Sequence, residues 1–520
     1  MSYILLVLIL LFGWVFAMSV LNPYIKKSQH FQLMYGVLLL VKIRKNRNIL
    51  TRLAKVSDSK FFSRLSIPIV YILIILGTFL LVLGAILSFS IKQSLPLNEY
   101  LALPGINPEI PVTYGIVAFS LSVIIHEMFH GIVARKHDID VTSVGVLFFI
   151  VPLGAFVEPE EKQITEVDPV IRRRIVAAGI AVNFIIAIFA FLIFSLALSH
   201  AAVQTEPGAY LDTVFPGSPL YNSSISGYEI TSIGNLHGNN VNNIGSGITA
   251  MPGTLINVTM YDGHGYHNYT TPAGITVAAT LQGFPAAQAN VQNGSYIISI
   301  QNITIFNDAS LSSELNTIRP GTNITMVTEV FNSSGSHLIG TYHTYHFKTA
   351  SIYSYYEKYD PSAANSTQKN GSFLGVNVVY SGLGIIPMSY MKSIIFGDFA
   401  YKSGFTGFMQ SIALPLEGLN PVPSGFASLY TVPFGGSIFW PIANMLYWFF
   451  WVNILLAITN ALPLAIFDGA QFFRDTLIIN SRHESLKFLR NEKTLATILS
   501  FATTFVFTMI MIEIIVPRII

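Results

Sequence analysis

"SVIIHEMFHGIVA", residues 122–134, is the stretch from which the rest of the chain is read. It carries H-E-x-x-H within an apolar run, residues 113–134, that is long enough to cross the hydrocarbon core of a bilayer as a helix. A spacing of four puts His126 and His130 on one helix face about one turn apart. Both imidazoles can therefore reach one tetrahedral zinc ion, with Glu127 beside it as a general base. Two histidines and a glutamate are costly in lipid unless a site uses them. The plainer reading is a polar cluster lining a helix contact.

Composition supports a membrane setting. Of 520 residues, 52% are hydrophobic and only 11% charged, less than half the share usual in soluble domains. Cysteine is absent, so any metal must sit on imidazole and carboxylate. The net charge of +2 suggests no nucleic-acid partner.

Five further apolar runs read as crossings: residues 3–21, 67–91, 175–198, 439–462 and 495–515. The first could alternatively be a signal peptide, but it lacks a basic start and a clear cleavage site. Basic residues fix the orientation. Lys26, Lys27, Lys42, Arg44, Lys45, Arg47, Arg52 and Lys55 fill the first loop, Arg135 and Lys136 end the H-E-x-x-H run, and Arg172 to Arg174 precede the next. Arg474, Arg482, Lys487, Arg490 and Lys493 lie between the last two. By the positive-inside rule these flanks are cytoplasmic, which leaves both termini and residues 201–437 extracytoplasmic. Residues 141–157, broken by Gly145, Pro152 and Gly154, are short for a crossing and read as membrane-dipping strands.

From about 201 to 380 the chain turns to Gly, Asn, Ser, Thr and Tyr with short alternating apolar runs, a β-rich pattern. Nine N-x-[ST] sequons begin at Asn222, Asn257, Asn268, Asn293, Asn302, Asn323, Asn332, Asn365 and Asn370. "VFPGSPLYNSSISGYEITSIGN" (214–235) and "GFPAAQANVQNGSYIISIQN" (283–302) share a Pro-small start, a Gly-aromatic step and an Ile pair. Both resemble the middle of PDZ domains, which implies two tandem PDZ-like units and the possible binding of peptide C-termini. The segment 384–437, apolar but interrupted by Lys392, Asp398 and Lys402, suits an interfacial amphipathic stretch.

Catalytic zinc takes three protein ligands and keeps one position for water, so a third ligand must come from elsewhere. In "TNALPLAIFDGAQFF" (459–473), Asp468 follows a long apolar helix and is the best candidate; it could equally be an N-cap opening the next helix. H-E-x-x-H at 126–130, N-x-x-P-x-x-x-x-D-G at 460–469 and the Gly179/Asn183 pair of "AAGIAVNF" together resemble the signatures of the site-2 protease family of intramembrane zinc metalloproteases. The resemblance implies one zinc held by His126, His130 and Asp468, with Glu127 as base and with Gly179, Asn183 and Asn460 near the substrate strand. Helix–helix hydrogen bonding is the alternative for the two asparagines. Ala465 and Phe467 stand where the family usually has Pro and Leu.

The chain thus reads as a polytopic α-helical membrane protein of about six transmembrane helices with an inserted extracytoplasmic β-rich, PDZ-like region. Its division is 1–111, two helices with a basic loop; 112–200, first part of a catalytic core; 201–383, the PDZ-like region; 384–437, the interfacial segment; and 438–520, the second part of the core. The expected activity is hydrolysis of peptide bonds in transmembrane segments of membrane-protein substrates, within the lipid bilayer. A metal-ion transporter and an inactive scaffold are the alternatives. The first does not explain Glu127 between two histidines, and the second does not explain a complete catalytic set.

Overall fold

The structure is a computed structural model that describes residues 3–28, 30–34, 36–43, 52–55, 59–90, 96–100, 104, 107–149, 151–334, 337–359, 370–397, 404–417 and 421–519. Arg44, Lys45, Arg47, Asn365, Asp398 and Lys402, used above, lie outside the described residues. Two compact units are formed, one of Met1–Ala197, Ile412–Asn420 and Pro441–Ile520, the other of Leu198–Ser411 and Pro421–Trp440.

The first unit is helical. Its main helices are α1 (Tyr3–Ile25), α2 (Ser59–Leu87), α3 (Val112–Lys136), α4 (Pro169–Leu192), α5 (Gly436–Ala461), α6 (Asp468–Asn480) and α7 (Glu492–Ile519). Among the described residues, five segments are long and apolar enough to cross a membrane: Phe61–Leu87, Val112–Lys136, Pro169–Ala201, Gly436–Ala461 and Glu492–Ile519. They match five of the six expected crossings, and α1, apolar along its 23 residues, stays an expectation as the sixth. Large apolar side chains such as Ile75, Val117, Phe189 and Phe501 are exposed on these helices, as lipid contact requires.

Helix α4 is the hub and packs against α2, α3 and α6. Asp168 caps its start by accepting the Val170 N–H at 2.8 Å, and Pro169 occupies the first turn, where a missing N–H costs nothing. Ala177, Ala178, Gly179 and Ala181 are all buried in α4. With such small side chains a neighbouring backbone can come close without needing a hydrophobic drive that lipid does not supply. Arg172 locks α4 to α6. Its Nε lies 3.0 Å from both carboxylate oxygens of Asp475, whose side chain is fully buried. Removing one partner of such a pair strands a buried charge, at a cost of about 3–5 kcal/mol.

The strand expectation holds for residues 141–157 and extends further. Strands β1 (Phe31–Met34), β2 (Leu38–Ile43), β3 (Val141–Phe149) and β4 (Val151–Pro159) form one antiparallel sheet in the order β1-β2-β3-β4. The first basic loop therefore contains a hairpin. Its apolar Leu38 to Val41 run is explained by pairing with β3, where Leu40 faces Leu147. Gly145 is required here, because a Cβ would meet Val41 O at 2.3 Å and the Phe156 ring at 2.4 Å. Strand β4 is an edge strand and carries Pro159 at its end, where no ladder donor is needed.

The second unit holds two sheets of matching order. The first module has β5 (Ala209–Val214), β6 (Glu229–Ile233), β7 (Leu255–Tyr261) and β8 (Tyr266–Pro272). The second has β9 (Ile275–Thr280), β10 (Tyr296–Ile300), β11 (Asn323–Ser334), β12 (His337–Lys348) and β13 (Val376–Tyr380). Strand β14 (Leu383–Pro387) then returns to pair with β5. The orders are β8-β7-β6-β5-β14 and β12-β11-β10-β9-β13. The repeat is real, but it is nested rather than tandem, since the second module is inserted before the last strand of the first. This also corrects the boundary at 383, which cuts β14. One continuous core runs through both modules, from Leu211 and Ile230 to Ile297 and Tyr380. The segment expected to be one interfacial stretch instead starts with β14 and continues in short helices, Met388–Phe396, Gly404–Ala413 and Ser424–Ser428. The eight described sequon asparagines are all exposed.

Glu229 opens β6 fully buried, with one oxygen accepting from Gln204 Nε2 and Oε2 without a partner among the described residues. Burial, and secondarily Glu206, push its carboxyl up to about 7 against the lowering effect of Gln204. The sign follows from linkage: a raised folded-state pKa contributes stability that is present below about 4.5 and lost as pH rises through about 7. The unfolding midpoint of this unit is expected to fall across that window, and Glu229→Gln to remove the fall.

Candidate active site

Helix α3 is amphipathic only in detail: His126 is buried, while Glu127 and His130 are half-buried among apolar neighbours. One donor atom from each of His126, Glu127 and His130 lies within 4.8 Å of the others. Asp468 arrives from 342 residues further along the chain, with its Oδ2 2.9 Å from His126 Nε2 and 3.1 Å from His130 Nε2. The two Nε2 atoms are themselves 3.1 Å apart.

Three acceptor-rich atoms in so small a triangle repel one another unless a cation or shared protons lie between them. Donors bound to one zinc at about 2.0–2.1 Å stand about 3.3 Å apart, close to the triangle found here. The donor set therefore fits a tetrahedral divalent ion with one position left open, and no thiolate is needed.

The local chain explains how Asp468 gets there. Helix α5 ends at Ala461, Pro463 blocks its continuation, and a tight turn delivers Asp468 as the first residue of α6, with Phe467 rather than Asp468 at the N-cap. Gly469 is obligatory because a Cβ would lie 2.3 Å from Ala461 O. The capping alternative is thus excluded by geometry, and the Asp468 carboxylate faces the histidines instead.

A second layer of contacts orients these atoms. His130 Nδ1 lies 2.8 Å from Ile175 O, a carbonyl that can only accept, so Nδ1 carries the proton and Nε2 the lone pair. Asn183, fully buried, lies with its amide nitrogen 3.2 Å from His126 Nδ1, while its Oδ1 is buried without a partner among the described residues. Either end of a side-chain amide can face the ring. With Oδ1 there, the orphan oxygen accepts a hydrogen bond from Nδ1–H and both histidines offer Nε2 to the same point. Gly179, one turn earlier, is where α4 meets both rings, since a Cβ would sit 2.4 Å from His130 Nε2 and 2.9 Å from His126 Cε1. Asn460 is half-buried in the last turn of α5 and makes none of the bonds joining Asp468 to the histidines.

Asn453 escaped the sequence reading. It is fully buried in α5, and its Nδ2 donates to Ser122 Oγ at 2.6 Å and to Phe449 O at 2.7 Å. Ser122 is one turn before His126, so this bond ties together the helices that bring the two halves of the site. The signal was present as a lone amide in the apolar run "WVNILL".

A cavity of about 420 Å³ opens beside Glu127 and His130. Asp468, Arg172, Gln471 and Arg474 make its far wall polar, and Val157 and Pro159 of β4 line another side. Space for a substrate carbonyl and for water thus adjoins the carboxylate of Glu127.

The sequence profile of peptidase family M50 matches residues 114–506, which contain the whole constellation. The chain belongs to peptidase family M50. As a member of this family it is similar to a protein of Methanocaldococcus jannaschii described only as uncharacterized, at 35% identity over 142 residues. That match covers 26% of this chain and 38% of the relative, so the chain spans well under half of the relative's length in the shared region.

Gly179→Ala forces a methyl against both imidazoles. If the triangle holds a divalent ion, its affinity for zinc, measured by competition with a chelator on purified protein, is expected to fall about 100-fold, while helix content stays unchanged.

Proposed function

We propose that this member of peptidase family M50 is an intramembrane zinc metalloendopeptidase that hydrolyses peptide bonds in transmembrane segments of membrane-protein substrates. The observation that carries the reading is the meeting of Asp468 with His126 and His130, which stand with Glu127 on a helix apolar enough to cross a membrane. In this reading His126, His130 and Asp468 hold one zinc. Bound there, zinc would polarise the scissile carbonyl and lower the pKa of its water toward about 7.

Glu127 does the proton work. It takes a proton from the attacking water and returns it to the amide nitrogen of the leaving chain, so that the C–N bond breaks as an amine and a carboxylic acid form. Asn183 is best read as a positioning residue that fixes the His126 tautomer, a revision of the role implied by family resemblance. Asn460, uncommitted to the histidines, is the amide left to hold substrate.

A transmembrane helix hides its carbonyls in its own hydrogen bonds, so the scissile segment must first unwind. The open edge of β4, whose Val157 and Pro159 line the cavity, would pair with the extended segment by strand addition and present its carbonyl to Glu127. In the orientation set by the basic flanks, both termini and residues 201–437 lie outside. The two nested modules, read as PDZ-like, would bind peptide C-termini and admit substrates whose outer domains have already been trimmed. Membership in a peptidase family tells against the transporter reading.

Co-expression with a single-span reporter tests the proposal. Glu127→Gln is expected to abolish cleavage, a loss of at least about 100-fold for a general base, with one zinc per chain retained. Cleavage surviving in that variant would remove Glu127 from the chemistry.

A further inference from the structure

A second cavity, of about 390 Å³, lies at the end of α1 and is lined by Asn22, Lys26, Ser28, Phe31, Gln32 and Lys42 among others. Its chemistry is cationic and polar on one side and apolar on the other. The helix end adds about half a negative charge, less than the two ammonium groups supply. The carbonyls of Asn22, Tyr24 and Ile25 are already taken by the backbone N–H groups of Lys26, Lys27 and Ser28, at 3.0, 3.2 and 3.0 Å. Ser28 Oγ accepts from the His30 and Phe31 N–H groups, at 3.1 and 3.3 Å, which leaves its hydroxyl hydrogen to donate.

Two ammonium groups, of Lys26 and Lys42, line the cavity, and Lys42 faces the carboxylate of Glu158. Lys42 Nζ lies 3.2 Å from Glu158 Oε1, and the other Glu158 oxygen accepts from Ser143. Lys42 is thus half-compensated, while the Lys26 side chain is exposed and forms no bond among the described residues. The cavity adjoins an apolar surface, for Phe12, Phe16 and Tyr24 of α1 are each more than 70% exposed. A position where bare aromatic surface gives way to ammonium groups is where phospholipid headgroups lie.

We propose that this cavity binds the phosphate headgroup of an anionic phospholipid. Lys26 and Lys42 hold the phosphate, Ser28 and Gln32 donate to its oxygens, and the acyl chains run along α1. The site also touches the sheet beside the catalytic cavity, because Glu158, the partner of Lys42, sits on β4 between Val157 and Pro159. A phosphate that competes for Lys42 changes the charge balance on that strand.

The full-length protein, delipidated in neutral detergent and returned to phosphatidylcholine vesicles with or without phosphatidylglycerol, tests this by native mass spectrometry of retained lipid. Wild type is expected to retain phosphatidylglycerol, and Lys26→Gln and Lys42→Gln each to weaken retention about fivefold. Lys26→Gln breaks no bond of the fold, so its effect cannot come from unfolding. Lys487→Gln, on the loop where that lysine meets Glu484, is expected to change nothing. Equal retention in wild type and in both cavity variants overturns the proposal. Displacement by glycerol phosphate as effective as by the diacyl lipid would assign the site to a soluble phosphate and overturn the lipid occupant.

Discussion

Everything in the helical unit answers to one electrostatic constraint: three atoms rich in lone pairs, from His126, His130 and Asp468, stand within 3.1 Å of one another in a largely apolar surrounding. Such a set is stable only when positive charge sits among it. Asp468 comes from a helix hundreds of residues away, so the constraint fixes how α3, α4, α5 and α6 must pack. Gly179 leaves room for α4 against the imidazoles, Asn183 and Ile175 O lie against the ring nitrogens that face away from Asp468, and Gly469 lets α6 begin flush against the end of α5.

Two further polar contacts hold these helices where a hydrophobic drive is weak. Asn453 joins α5 to α3 through Ser122, and Arg172 joins α4 to α6 through Asp475. Each lies about one to two turns from a residue of the triangle. Misplacing a ligating atom by a fraction of an ångström is enough to spoil a metal site, which gives a reason for spending buried polar groups on helix registration.

Much of the site was legible because its chemistry demands rare residues in hydrophobic runs: H-E-x-x-H, Asp468 and the Gly179/Asn183 pair stand out where polar groups are costly. The roles were less legible than the positions. Family resemblance implied a substrate-facing Asn183, with helix–helix hydrogen bonding as the alternative, and in the structure its neighbour is a ring nitrogen of His126, a fact of tertiary packing that no spacing conveys. The fold was read unevenly for a similar reason. Long apolar helices announce themselves, whereas the Leu38–Ile43 strand was hidden inside a basic loop, since pairing with a distant strand leaves no local mark. The repeat of 214–235 and 283–302 showed two modules, but the closing strand Leu383–Pro387 lies too far from its sheet for sequence order to reveal the nesting.

The most direct measurement is zinc K-edge X-ray absorption on the purified, metal-loaded protein. The account predicts a four-coordinate ion with nitrogen and oxygen neighbours at about 2.0–2.1 Å, including two imidazoles, and one imidazole fewer in His126→Ala. An ion coordinated without imidazole, or the same spectrum in wild type and His126→Ala, would contradict the convergence of His126, His130 and Asp468 on one metal.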